Sequence, residues 1–261
     1  MKITSKNPII RHKAMTALAL FAFLLGATNA QAGVKLASPF TDHMVLQCDK
    51  KVPVWGTADP GENVTIDFVG QKKSVKAGTD GKWCVNLDSM HASDESQTLT
   101  VTGSSSNDTI KCEDVLVGEV WLCSGQSNMD FTVAKTTKHY FAGVNNETQE
   151  VAAANYPYIR MFTGDWQRSY EPQSTVPGTW LVCTPENARE FSAIGYFIGR
   201  DMQKELKVPF GIITESFGAS TAEAWVSRDA LAAKPQLKPL LERFDTNVAA
   251  YKANPPDMTA P

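Results

Sequence analysis

The amino-acid sequence predicts an α/β protein in which an antiparallel β-sandwich precedes a parallel α/β region. Two observations support this prediction. Between residues 52 and 117, short segments rich in β-branched residues alternate with turn-forming residues, a pattern typical of antiparallel sandwiches. Between residues 191 and 220, a helical pattern, a short apolar run and a glycine turn follow one another, which is typical of an α/β layer.

The predicted strands of the first region are short and bounded by turn formers. They cover residues 52–56, 63–69, 83–87 and 98–102. Asp80-Gly81 is the strongest hairpin signal in this region. We therefore expect a β-sandwich domain at residues 33–112 and a second domain at residues 113–261.

The second region contains one clear amphipathic helix at residues 191–206, which Val208-Pro209 should end. Its apolar residues recur at helical spacing: Ile194, Phe197, Ile198, Met202 and Leu206. Residues 210–214 then read as a short buried strand, and residues 217–220 as a turn of small residues. Residues 155–190 combine four prolines with polar residues and predict a long loop.

The first 32 residues have the composition of a secretory signal peptide. Basic residues occupy positions 2, 6, 11 and 13, an apolar run covers residues 14–25, and Ala30-Gln31-Ala32 resembles a cleavage site. The run is shorter than the ~20 residues that span a bilayer. We expect cleavage after Ala32 and a secreted or periplasmic protein without membrane insertion; an uncleaved anchor is the alternative.

The charge and the cysteine content argue against two classes of function, nucleic-acid binding and zinc binding. Without the signal segment the chain has 21 basic and 28 acidic residues, which argues against nucleic acid as a partner. Its five cysteines permit one or two disulfide bridges in an oxidising compartment. Their spacing includes no Cys-x-x-Cys pair and no neighbouring histidine, which argues against a zinc site. We expect neither a metal nor a cofactor.

The end of one apolar strand carries the main candidate for chemistry. The run Val120-Trp-Leu-Cys123 stops at Ser124-Gly-Gln-Ser-Asn128. At the carboxyl end of a parallel strand the chain turns sharply, and ligands of α/β sheets collect there. Gly125 permits such a turn, and Ser127 would present its hydroxyl near a helix N-terminus whose N–H groups can stabilise an oxyanion. An ordinary turn or helix cap is the alternative.

Residues 118–129, Gly-Glu-Val-Trp-Leu-Cys-Ser-Gly-Gln-Ser-Asn-Met, closely resemble the nucleophile block of the sialate O-acetylesterase family, which belongs to the SGNH-type hydrolases. Similarity extends from about Val34 to about Leu231. It includes residues 37–47 and 52–56, where the family has its β-rich domain, and residues 191–196 and 218–225, its helix and second glycine block. The resemblance implies a flavodoxin-like parallel α/β domain after the sandwich.

Carried onto this chain, the resemblance makes Ser127 the nucleophile and its backbone N–H one oxyanion donor. Gly218 matches the glycine that supplies a second N–H, although the usual Gly-Gly pair reads Gly218-Ala219 here. The implied reaction is hydrolysis of an acetyl ester through an acetyl-serine. The implied substrate is O-acetylated sialic acid or another acetylated carbohydrate. No residue is assigned to substrate binding.

The family's catalytic Asp-x-x-His block and its Gln-Gly-Glu-Ser-Asn-like block are both missing from this sequence. The four histidines are His12, His43, His91 and His139, and none follows Trp225. We therefore expect the SGNH-type domain at residues 113–261 to be incomplete at its C-terminal end and inactive alone. Two alternatives stay open: a non-catalytic fragment that serves as a carbohydrate-binding or interaction module, and a polysaccharide esterase of the xylan type.

Overall fold

The computed structural model describes residues 33–105, 108–136, 142–165 and 169–255. The candidate signal segment and His139 lie outside these ranges. Gly33 begins the compact unit to which all the described residues belong. The strands are β1 Lys35–Leu36, β2 Val45–Gln47, β3 Val52–Thr57, β4 Asn63–Phe68, β5 Gln71–Lys76, β6 Lys82–Leu87, β7 Ser93–Gly103, β8 Thr109–Gly125, β9 Tyr156–Gly164, β10 Gly178–Cys183 and β11 Phe210–Ser216. The α-helices are α1 Ser127–Asp130, α2 Glu147–Ala153, α3 Ala193–Leu206, α4 Arg228–Ala232 and α5 Lys238–Ala253.

The described strands form two sheets, so the protein is of mixed α/β class. A three-stranded antiparallel sheet has the order β1-β3-β6. An eight-stranded sheet has the order β10-β9-β11-β8-β7-β4-β5, with β2 paired to β8 beside this path. In the larger sheet β9, β11 and β8 run parallel, whereas β10, β7, β4 and β5 add antiparallel pairs.

Strand β8 belongs to both kinds of pairing. Its first half pairs antiparallel with β7, and its last seven residues pair parallel with β11, from Glu119 to Gly125. The expected domain boundary at 112/113 falls inside this strand. The division into residues 33–112 and 113–261 stays a prediction.

Two apolar clusters fill the interior of the described structure. The larger one lies between the two sheets of the sandwich and also includes Phe162 of β9 and Trp180 of β10. The smaller one lies between the parallel strands and helix α3, around Ile159, Tyr196 and Ile212. Alternating buried and exposed residues along β3, β4 and β6 explain the larger cluster, because each strand turns one face inward.

The predicted helix and strand of the second region are confirmed. Helix α3 begins after Ser192, whose hydroxyl accepts a hydrogen bond from the Gly195 N–H at 3.3 Å. Gly199 lets the helix approach the sheet closely, since a Cβ there would lie 2.5 Å from the Ile212 side chain. Strand β11 follows and is two residues longer than predicted.

The predicted long loop at residues 155–190 is wrong. This segment contains β9 and β10, because its prolines lie at or beyond the ends of the strands rather than in their centres. The central residues of β9, Ile-Arg-Met-Phe162, are all buried. Such a run is typical of a parallel strand covered on both faces.

The predicted hairpin at Asp80-Gly81 is also wrong. This turn joins β5 and β6, which belong to different sheets. A two-residue hairpin of this region instead joins β4 to β5 through Val69 and Gly70, both of which have positive φ, of 48° and 71°. Two central residues with positive φ define the type I′ turn, whose twist matches that of the paired strands.

All five cysteines lie in the described ranges, and each is free; four are buried, and Cys84 is exposed.

Among the described residues, no helix combines the length and apolar character needed to cross a bilayer.

Candidate active site

Strands β8 and β11 end side by side, and the turns that follow them leave from the same edge of the sheet. Gly125 and Ser216 are register partners, and the Phe217 N–H donates a hydrogen bond to the Gly125 carbonyl at 2.9 Å. Gly125 has φ of 152°, a conformation that a side chain would strain. The structure therefore brings together the two segments that the sequence singled out, the Ser127 turn and the Gly218 turn.

Ser127 is the first residue of α1 and is partly exposed. Helix α1 is only four residues long, so it provides a turn of backbone but not the helix macrodipole that the sequence predicted beside Ser127. The N–H groups of Ser127 and Gly218 make no hydrogen bond to another described residue. Both are therefore available as hydrogen-bond donors at this edge of the sheet.

A side chain whose role the sequence did not reveal holds the Gly218 turn against the Ser127 turn. The Gln126 amide donates a hydrogen bond to the Ser220 carbonyl at 2.8 Å, which fixes residues 218–220 beside the Ser127 turn. Ala219 has φ of 61°, a conformation that favours glycine. The alanine in place of the family's second glycine therefore lies in a strained position.

Two carboxylates lie close to these turns. Asp130 accepts a hydrogen bond from the buried Ser216 hydroxyl at 3.0 Å. A Cβ built at Gly218 would meet only Asp130 Oδ2, at 3.9 Å, so the space facing Gly218 is otherwise open. Glu215 packs against Gly164, in space that a side chain at position 164 would fill, and burial raises the pKa of its carboxyl.

Neither histidine of the described ranges lies near Ser127. His43 pairs with Asp114 at 2.7 Å, at the far end of β8. The extended strand from Asp114 to Gly125 spans roughly 36 Å at ~3.3 Å per residue. His91 is exposed on the sandwich and pairs with Asp49. The structure thus supplies no imidazole to Ser127 from these two residues, while the position of His139 is not described.

The His43–Asp114 pair belongs to a structural cluster with Arg160. Arg160 is 4% exposed, and its guanidinium lies 2.6 Å from Asp114 Oδ2. Burial by itself raises the pKa of the Asp114 carboxyl, but hydrogen bonds from Arg160 and His43 and the positive charge of Arg160 outweigh burial and lower that pKa to about 2. The cluster joins β8 to β9.

We expect the Asp114→Asn substitution to lower the free energy of unfolding by about 2 kcal/mol at neutral pH, because it leaves the buried Arg160 charge without its partner. The folded pKa of Asp114 is depressed, so its stabilisation is present above pH ~4 and is lost as the pH falls towards 2. Urea unfolding of both proteins should therefore show a difference that shrinks in this range.

The matched control for Asp114 is Asp49→Asn, which removes an exposed aspartate from a histidine pair without a buried arginine. This control should leave the urea midpoint almost unchanged. Equal losses in the two variants, or a difference for Asp114→Asn that does not depend on pH, would contradict the prediction.

No cluster of three or more potential metal ligands occurs among the residues that the structure describes. The polar groups close to the two turns are the backbone N–H groups of Ser127 and Gly218, the Ser216 hydroxyl and the Asp130 carboxylate. Of these groups, the backbone N–H donors suit the stabilisation of an acyl oxyanion by hydrogen bonds.

Comparison with known proteins identifies relatives of this chain. It is 32% identical over 234 residues to the sialate O-acetylesterase of Homo sapiens and 30% identical over 241 residues to that of Rattus norvegicus. The alignments cover 83% and 81% of this chain but only 43% of each relative. The chain therefore spans less than half the length of these relatives. No protein-family model matches it.

One solved structure agrees in both sequence and fold. A carbohydrate acetylesterase from Xanthomonas citri superposes with a TM-score of 0.68 at 35% identity, over 76% of this chain and 43% of that one. Over the region that it spans, the chain belongs to the sialate O-acetylesterase family.

Proposed function

We propose that this chain carries the nucleophile and the oxyanion donors of a carbohydrate O-acetyl esterase. The supporting observation is the meeting of two turns at one edge of the sheet, with a partly exposed Ser127 beside two N–H groups that have no described partner. We also propose that residues 113–261 are an incomplete SGNH-type, flavodoxin-like domain, since the alignment covers only 43% of the human relative.

In the proposed reaction the Ser127 hydroxyl attacks the carbonyl carbon of an acetyl ester while a base takes its proton. The carbonyl oxygen becomes an oxyanion that accepts hydrogen bonds from the N–H groups of Ser127 and Gly218. Collapse of this intermediate breaks the bond to the sugar oxygen, which leaves as a hydroxyl after it gains a proton. Water then attacks the acetyl-serine and releases acetate.

The described histidines do not supply the base for this reaction, because His43 and His91 lie far from Ser127. We therefore propose that the chain alone hydrolyses acetyl esters poorly, and that an imidazole from further polypeptide would complete the site. His139 is the one histidine after Ser127 within this sequence. The His139→Ala substitution therefore tests the proposal that the base is missing from this chain.

The substrate class follows from the relatives, whose names refer to O-acetylated sialic acid and to carbohydrate. We propose an acetylated carbohydrate as the substrate, with O-acetylated sialic acid first and a xylan-type polysaccharide second. We further propose export of the chain to the periplasm or the medium after cleavage behind Ala32, because of the composition of residues 1–32.

The experiment that tests the proposed function is hydrolysis of 4-methylumbelliferyl acetate by the purified chain, with and without imidazole in the buffer. The same measurement on Ser127→Ala gives the rate that does not depend on this serine. A rate that requires both imidazole and Ser127 supports the proposal. Equal rates for the two proteins under both conditions would exclude Ser127 as the nucleophile.

A further inference from the structure

The outer face of the three-stranded sheet carries a row of polar side chains far from the acetyl-ester site. Lys35, Thr57 and Lys82 are register partners on β1, β3 and β6, so their side chains stand on the same face of the sheet. Two residues along the strands, Trp55 and Cys84 form the next pair on that face. Lys35, Thr57, Lys82 and Cys84 are exposed, and Trp55 is partly exposed.

These residues line a cleft of about 500 Å³, which is within the range of small-ligand sites. Its second wall is the chain at Ser174 and Thr175. Ser38 holds this wall in place: its N–H donates to Thr175 Oγ1 at 3.0 Å, and its hydroxyl donates to the Val176 carbonyl. The cleft is therefore fixed by hydrogen bonds on both sides.

Trp55 is held in one orientation within the cleft. Its indole Nε1 donates to the Ser174 carbonyl at 2.9 Å, and its ring meets Phe40 edge to face at a centroid distance of 4.7 Å. A fixed, partly exposed indole offers a flat apolar surface at little cost in side-chain entropy. Such a surface suits the apolar face of a sugar ring.

The charge of the cleft is positive in a chain with a formal net charge of −3. Lys35 makes no ion pair with a described residue, and Lys82 makes a loose one with exposed Asp80, at 3.6 Å. No carboxylate is among the described residues that line the cleft. A ligand with a negative group next to a sugar ring could therefore place the negative group near the two lysines and the ring against Trp55.

We propose that this cleft binds a carboxylate-bearing oligosaccharide. One sugar ring stacks on Trp55, the carboxylate lies between Lys35 and Lys82, and hydroxyl groups of the ligand bond Thr57 and Thr175. The site is separate from the Ser127 turn, so the sandwich would hold an acidic glycan whether or not the chain hydrolyses esters.

Cys84 provides a reporter inside the cleft. It is the one exposed cysteine of the five, and burial raises the pKa of the Cys48, Cys112 and Cys183 thiols to about 11 and also raises that of Cys123. A thiol reagent such as dithionitrobenzoate should therefore react with Cys84 first. A ligand that fills the cleft should slow this reaction.

The test measures the rate of Cys84 modification in the presence of tetragalacturonate. At five times its Kd, this ligand leaves about one sixth of the clefts free and should slow the reaction about sixfold. Neutral maltotetraose and sodium sulfate at equal concentration should have no such effect. Trp55→Phe and Lys35→Glu should each abolish the protection, while Lys76→Glu on β5, the same charge change on the other sheet, should preserve it.

The outcomes of this test separate the proposal from its rivals. Protection by tetragalacturonate alone, lost in Trp55→Phe and Lys35→Glu, supports it. Equal protection by sulfate would show a simple anion site, equal protection by maltotetraose would show a neutral sugar site, and no protection would show no site; each of these overturns the proposal. None of them depends on esterase activity.

Discussion

Replacing Ser127 with alanine is expected to remove imidazole-supported hydrolysis of 4-methylumbelliferyl acetate by this chain. A general base contributes roughly 100-fold or more to such a reaction, so imidazole should raise the rate of the native chain by about that factor. The Ser127→Ala variant should show none of this increase beyond the rate of imidazole buffer alone. The physical reason is that the proposed nucleophile needs a base to take its proton, and the described residues place no imidazole nearby. Imidazole in solution can replace that base because Ser127 is partly exposed.

A matched control separates this effect from general serine reactivity. Ser124 is exposed and lies three residues earlier, on strand β8, so it does not stand on the turn beside Gly218. Ser124→Ala should retain the imidazole-supported rate. The variant proteins should also unfold at the same urea concentration as the native chain, so that a lost rate cannot be attributed to lost folding.

Two outcomes would contradict this account of the site. Serine-dependent turnover without imidazole would show that the base is present in this polypeptide, and loss of that turnover in His139→Ala would identify it. Full retention of the imidazole-supported rate in Ser127→Ala would show that another group is acylated. Mass spectrometry of the acetylated peptide would then locate that group.

The parts of the fold that could be predicted from sequence are those with strong local periodicity. Helix α3 and strand β11 have apolar residues at regular spacing and a clear terminator between them, so local pattern was sufficient. Local pattern does not indicate strands β9 and β10, because the prolines at their ends are also typical of loops. The β4–β5 hairpin was missed because Val69 adopts a positive φ that its residue type rarely takes.

Only the part of the candidate site that lies in one continuous segment could be predicted from the sequence. A small-residue turn at the end of an apolar strand is visible in sequence, and it contains Ser127. Contacts between distant residues are not visible. Gln126 reaches Ser220 across 94 positions, and Asp114 reaches Arg160 across 46. Tertiary packing alone decides such pairs, so no local pattern could have indicated them.

Replacing Trp180 with alanine is expected to lower the free energy of unfolding by about 3 to 5 kcal/mol, the usual cost of removing a large buried aromatic side chain. Trp180 is 2% exposed and packs against Phe162 with a ring-centroid distance of 5.8 Å. Its indole Nε1 donates to the Pro39 carbonyl at 2.8 Å. Urea unfolding followed by circular dichroism measures the loss.

Two control variants separate the contributions of the hydrogen bond and of the buried volume to this loss of stability. Trp180→Phe keeps most of the buried volume but leaves the Pro39 carbonyl without its donor, so it should cost about 1 kcal/mol from the hydrogen bond and somewhat more from lost volume. Trp225→Ala removes a tryptophan that is 43% exposed and should change stability much less. A loss in Trp225→Ala as large as that in Trp180→Ala would contradict the expected role of burial.

The same unfolding curves test whether the sandwich and the parallel strands unfold together. Trp180 lies on β10 yet packs in the cluster between the sandwich sheets, and β8 continues from one part into the other. A core and a strand shared in this way couple the two parts, so we expect one transition, shifted as a whole by Trp180→Ala. Two transitions, of which only one moves, would instead support independent domains at residues 33–112 and 113–261.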